Sequence, residues 1–75
     1  MPRKIRQIEA DYLRNGFWLV SAGGKGSHRK FRHELLPGSY GLSGNAGDDV
    51  KPYQEADLRR ALRDLSEART RGQQG

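Results

Sequence analysis

The sequence predicts a small α+β domain of order α-β-β-β-α, with two amphipathic helices laid on one face of a small antiparallel sheet. Apolar stripes at spacings of three and four are the first ground: Ile5, Ile8 and Tyr12 near one end, Leu58, Ala61, Leu62, Leu65 and Ala68 near the other. A second is the aromatic and β-branched run from Phe17 to Ala22, bounded by glycine on both sides and too short for a core helix. The third is size, since 75 residues without cysteine form one domain that buries only about 60% of its unfolded surface and depends on packing alone.

The first helix starts near Pro2, a residue suited to a first helical turn, and ends at Asn15-Gly16, residue types that tolerate the left-handed conformation. Leu13 lies beside its apolar stripe, and its outer face carries Arg3, Lys4, Arg6 and Arg14, read more readily as a solvated face than as phosphate ligands. Both faces of the first strand, Phe17 to Ala22, are apolar, so alternation does not decide which side meets the helices. Gly23-Gly24-Lys25-Gly26 then forms a hairpin loop, and Ser27 to Leu35 the returning strand. A period of two directs Phe31 and Leu35 to one side, and His28, Lys30, Arg32 and Glu34 to the other.

Glycines at 38, 41, 44 and 47 mark a long loop in which Tyr40 to Ser43 is the one place for a third, weak strand. The triplet spacing is too short and too poor in proline for a collagen helix. Pro52 opens the last helix, whose exposed side offers pairs four apart: Glu55 with Arg59, Arg60 with Asp64, Arg63 with Glu67. The packed domain is expected to span 1–68, followed by a flexible, polar C-terminal tail at 69–75.

Charge narrows the function. Net charge is +5 and the pI about 10.1, and Lys25, Arg29, Lys30, Arg32 and both histidines crowd into the stretch from 25 to 33 with no intervening carboxylate. Such density calls for an anionic partner, nucleic acid ahead of a membrane surface. Nothing approaches 18 consecutive apolar residues and no leader-like stretch stands out, so no membrane association is expected and the expected location is cytoplasmic. Gly24-Lys25-Gly26 has glycine where a phosphate-binding loop needs a hydroxyl. The Gly-x-x-Gly of KH domains is matched at 23–26, but that loop joins two helices and this one follows a strand. With no cysteine, and with His28 and His33 on opposite faces of one strand, no metal site is expected.

The element order is that of double-stranded-RNA-binding domains, and fold and charge therefore agree. Gly16-Phe17, then Lys25-Gly26-Ser27-His28 opening the second strand, then Gly47-Asp48-Asp49-Val50-Lys51-Pro52 before a leucine-rich helix, resemble the HicA family of bacterial toxins over nearly the whole chain. The resemblance implies a small mRNA-cleaving ribonuclease with a double-stranded-RNA-binding-like fold. It also implies that His28, the histidine of the Gly-Ser-His triplet, is catalytic. A HicB antitoxin that covers the active face, and usually brings a DNA-binding domain, is the implied partner. Where many members carry Pro-x-His-x-Gly after the third strand, this chain has Ser43-Gly44-Asn45-Ala46-Gly47.

The residues allow that chemistry independently. RNA supplies its own nucleophile in the 2′-hydroxyl, so a base near neutral pKa and cations for the charged transition state suffice, with no cofactor and no metal. His28 serves as the base, and Lys25, Gly26, Ser27, Arg29, Lys30 and Arg32 are the expected RNA contacts. Lys30 and Arg32 share its face at roughly 7 and 13 Å by strand rise. His28 and His33 are five apart and project oppositely, which argues against a two-histidine acid–base pair. The competing readings are a non-catalytic RNA-binding module using the same basic face and, behind it, a small structural partner protein.

Overall fold

Apolar periodicity at the two ends and strand-forming residues between them produce the expected order. The computed structural model describes residues 1–21 and 28–74 and contains α1 (Ile5–Arg14), β1 (Trp18–Ser21), β2 (Arg29–Arg32), β3 (Ser39–Leu42) and α2 (Pro52–Gln74). The hairpin loop expected at 23–26 lies outside the described residues. The strands form one antiparallel sheet in the order β1-β2-β3. The third strand, expected to be weak, pairs with β2 along its whole length, from Arg29 opposite Leu42 to Arg32 opposite Ser39.

Register assigns the faces. Phe31 lies opposite Tyr40 and opposite Leu19, and the parity of two places Phe31, Tyr40 and Leu42 on the helix side. Trp18, Lys30, Arg32, Ser39 and Gly41 then face away from the helices. One core joins Ile5, Ile8 and Tyr12 of α1 to Leu58, Ala61, Leu65 and Ala68 of α2 over Phe31 and Leu42. Tyr12 is its hub: the ring stacks on Phe31 at 4.7 Å and 7°, and meets Phe17 edge-on at 5.1 Å. Each such pair is worth about 0.5–1.5 kcal/mol beyond area burial.

The apolar first strand resolves asymmetrically. Phe17, just ahead of β1, is buried, whereas Trp18, Leu19 and Val20 are all exposed on a sheet edge. A register shift between Leu19 and Ser21 leaves Val20 as the extra residue of a bulge. The second strand is shorter than the expected Ser27 to Leu35. It stops at Arg32 because the chain turns: the Leu36 N–H donates to the His33 carbonyl at 3.0 Å, and the Leu35 N–H to His33 Nδ1 at 3.1 Å. Leu35 is thereby turned out to solvent, correcting its assignment to the core side, and Leu36 takes the buried place.

Polar contacts lock the helices together. The first N–H groups of α1 lack a hydroxyl cap and are met by the 43–50 loop, with Ile5 donating to the Asp48 carbonyl at 2.9 Å and Arg6 to that of Ala46 at 3.0 Å. Gly44, at φ +116°, lets that loop approach, since a Cβ there would lie 3.1 Å from Ile5 Cγ1. Arg3 grips Glu55 as a fork, Nε to Oε2 at 3.0 Å and Nη2 to Oε1 at 2.8 Å, and reaches Asp11 at 2.7 Å. Gln54, buried, accepts from the Lys51 N–H at 2.9 Å and donates to the Ser43 carbonyl at 2.7 Å, tying the start of α2 to the end of β3.

None of the three pairs expected along α2 is among the ion pairs of the described residues, and tertiary partners take two of their carboxylates. Glu55 is taken by Arg3, Asp64 accepts from the Tyr40 hydroxyl at 2.9 Å, and Arg60 turns back to Asp57 at 3.1 Å. Helix α2 also runs on to Gln74, through the segment read as a tail, although among the described residues nothing beyond Ala68 joins the core.

Gly16 and His33 are the tightest local fit. Gly16 has φ +90°, and a Cβ on it would lie 3.1 Å from His33 Nε2. Gly16→Ala therefore costs about 1–2 kcal/mol in backbone strain before any clash. His33→Ala opens a cavity and strands the Leu35 N–H, at a cost of roughly 1–3 kcal/mol. Urea unfolding of both variants checks this, and wild-type midpoints would refute it.

Stability depends on pH at both extremes. Burial pushes the Tyr12 hydroxyl up to about 12, and burial with the Asp64 bond does the same for Tyr40. Both protons are held to higher pH in the folded than in the unfolded chain. Stability is thus complete below pH ~10 and falls as pH rises toward 12. At the acid end, the Arg3 fork holds the Glu55 carboxyl below its ordinary range. That contribution is present above pH ~4.5 and is lost as pH falls through the depressed value. Denaturation midpoints measured across pH should decline at both ends, and Glu55→Gln should remove part of the acid decline.

Candidate nucleic-acid interface

Strand parity sends the two histidines to different places. His28, immediately before β2, is exposed, while His33, immediately after it, is buried at 6% exposure. The His33 ring meets Phe17 edge-on at 5.1 Å and 71°, and its Nδ1 is occupied by the Leu35 N–H. No phosphate between the two rings could touch both.

Of the expected RNA contacts, Lys30 and Arg32 stand together on the open face. Arg32 makes one long hydrogen bond, 3.4 Å to the Pro37 carbonyl, and neither cation has a carboxylate partner among the described residues. Arg29 is placed elsewhere. Parity turns it to the helix side, where its guanidinium donates to the Gly44 carbonyl at 2.9 Å and lies 3.5 Å from Glu9 of α1. It joins sheet, loop and helix, and lines the groove beside His28 and Lys30 while standing apart from Arg32. Lys25, Gly26 and Ser27 lie outside the described residues.

A shallow groove adjoins His28. Its lining includes His28, Arg29, Lys30, Tyr53, Gln54 and Asp57, where the start of β2 meets the end of β3 and the first turn of α2. Its volume, about 280 Å³, is at the lower edge of the ~300–1,000 Å³ usual for small-molecule pockets, and it suits part of an extended chain rather than an enclosed ligand. Sequence reasoning missed Tyr53, which is exposed, and Asp57, whose carboxylate holds Arg60. Both lie 25 or more positions along the chain from His28, and the only sequence signal was an aromatic residue on a helix otherwise bare of them.

The basic face of α1 is largely spoken for. Arg3 pairs with Asp11 and Glu55, Lys4 with Asp49, and Arg14 with Asp11 at 3.0 Å. Ion pairs inside the molecule thus occupy three of the four cations on this face, with Arg6 left unpaired among the described residues.

Comparisons of the chain with protein-family models, with curated proteins and with solved structures find no match in any of the three. Among the described residues no helix is long and apolar enough to cross a membrane.

The different placements of neighbouring cations are separable by stability. Arg29→Ala leaves the Gly44 carbonyl and Glu9 without their charged donor and should cost about 1.5–3 kcal/mol. Lys30→Ala and Arg32→Ala should each stay within about 0.5 kcal/mol. Thermal melts of the three variants decide it: equal melting temperatures would mean that Arg29 does not brace the fold.

Proposed function

We propose that this protein is a small cytoplasmic endoribonuclease toxin of the HicA type, in which His28 activates the 2′-hydroxyl of mRNA for attack on the adjacent phosphate. The observation that carries the reading is the position of His28. It is exposed beside a groove on the side of the molecule that presents Lys30, while His33 is committed to the core. His28 takes the 2′-proton as the oxygen attacks phosphorus, and the P–O5′ bond breaks. Lys30 lowers the energy of the doubly charged phosphorane that forms between these events. The leaving oxygen receives its proton from water, from Lys30, or from His28 in its protonated form. Arg32, roughly 13 Å further along the strand, holds a neighbouring phosphate rather than the scissile one.

A second reading keeps the same basic face for a non-catalytic RNA-binding module. It is favoured by the absence of the Pro-x-His-x-Gly element, which in this chain is Ser43-Gly44-Asn45-Ala46-Gly47. Incubating purified protein with mRNA in the presence and absence of chelator distinguishes the two. In the first reading cleavage persists in chelator, His28→Ala lowers its rate by at least about a hundredfold with RNA binding retained, and His33→Ala alters melting rather than rate per folded molecule. Equal loss of rate in both variants, each folded by circular dichroism, would remove the single-histidine mechanism.

A ribonuclease of this kind needs an inhibitor. A HicB-like antitoxin would cover His28 and set carboxylates against Lys30 and Arg32, as electrostatic complementarity requires. Expression of the wild-type chain should arrest growth, His28→Ala should not, and co-expression of an acidic protein encoded beside it should restore growth. Normal growth with soluble, folded wild-type protein would favour the binding module.

A further inference from the structure

Resting on the RNA reading above, we propose that the open face of the sheet is a platform for single-stranded RNA, on which Trp18 stacks an unpaired base while Lys30 and Arg32 hold the neighbouring phosphates. Trp18 lies directly opposite Arg32 in the β1–β2 register and is 46% exposed. An indole of this size is ordinarily well covered. Beside it Val20, at 49%, lines a shallow depression with Lys30, Arg32 and Ser39. An aromatic ring flanked by cations on a flat sheet is suited to an unpaired strand. Every base offers a π-face for stacking, and the cations track the backbone. Inside a duplex those faces are covered by neighbouring bases.

Charge distribution separates the substrates further. Gripping a duplex by its shape takes cations spread over a wide surface. On α1, however, Arg3, Lys4 and Arg14 are already paired with carboxylates of the fold, which leaves Arg6 alone on that face without an ion pair among the described residues. The uncompensated Lys30 and Arg32 lie beside the exposed indole instead. That juxtaposition also favours a polyanion over an apolar protein surface as the occupant. Trp18 faces the Arg32 end of the strand, roughly 13 Å from His28, so it selects and positions the strand rather than taking part in the reaction.

Trp18 is the one tryptophan of the chain, so intrinsic fluorescence reports on it alone. The full chain is titrated with a 2′-O-methylated octaribonucleotide, which resists cleavage, and with the same strand annealed to its complement. The single strand should quench the fluorescence and the duplex should not. In anisotropy titrations Trp18→Ala and Trp18→Leu should weaken single-strand binding roughly ten- to hundredfold, with Trp18→Phe retaining most of it. Replacing Lys30 and Arg32 together should reduce the slope of log affinity against log salt by about 1.4. Wild-type affinity in Trp18→Leu, with the salt slope still dependent on Lys30 and Arg32, would overturn the platform while leaving RNA binding in place. Failure of wild-type protein to bind either RNA at low salt would overturn the RNA reading itself. Fluorescence that changes with protein concentration alone, together with a dimer that Trp18→Leu dissociates, would assign the face to a second copy of the chain and overturn the proposal.

Discussion

The contact between Tyr12 and Phe31 sets the parity of the central strand, and most of the molecule's surface chemistry depends on that parity. With Phe31 stacked on the α1 tyrosine, Lys30 and Arg32 have no choice but to face away from the helices. A slip of one residue would exchange the sets, putting two cations into a core of Ile5, Ile8 and Leu65 and an aromatic ring into water. The energetic gap against that alternative is large, because burying unpaired charge costs several kcal/mol per group. A small apolar core thereby fixes the orientation of a basic face that contributes little to stability.

Charges inside the fold are distributed with the same economy. Asp11, Glu55 and Asp49 are used on the arginines and lysine around the start of α1, joining the N-terminal segment to α2 and to the preceding loop. These partly exposed pairs are individually modest, and the Arg3 fork with its two carboxylates is the strongest among them. Their wider effect is on the field around the molecule. They cancel cations around the start of α1, whereas Lys30 and Arg32 on the open face of the sheet keep their charge available to an approaching polyanion.

Glycine positions show how a chain of this size dispenses with conventional caps. At Gly44 the loop passes against Ile5 closely enough to supply carbonyls to the free N–H groups of α1, a task usually given to a serine or threonine side chain. At Gly16 the chain leaves α1 with positive φ and clears the ring of His33, which seals the core beside Phe17. Neither glycine contacts the groove by His28. Both decide where the elements flanking it come to rest.

The sequence by itself determined the element order, the two apolar helix stripes, the inward direction of Phe31 and the opposite projection of the two histidines. Each follows from a short-range period, 3.6 for a helix and 2 for a strand, that solvent exposure imposes on neighbouring residues. Tertiary structure decided where β2 stops, since the turn through His33 depends on that ring finding Phe17 and the Leu35 N–H. It likewise decided that Arg29 braces the fold, because Glu9 and Gly44 are distant in sequence and reach it only once α1 and the loop have packed. The face taken by Trp18 was illegible in a strand apolar on both sides and was settled by pairing with Arg32. Tyr53 and Asp57 came to His28 for the same reason: periodicity says which way a side chain points, and only packing says what it meets.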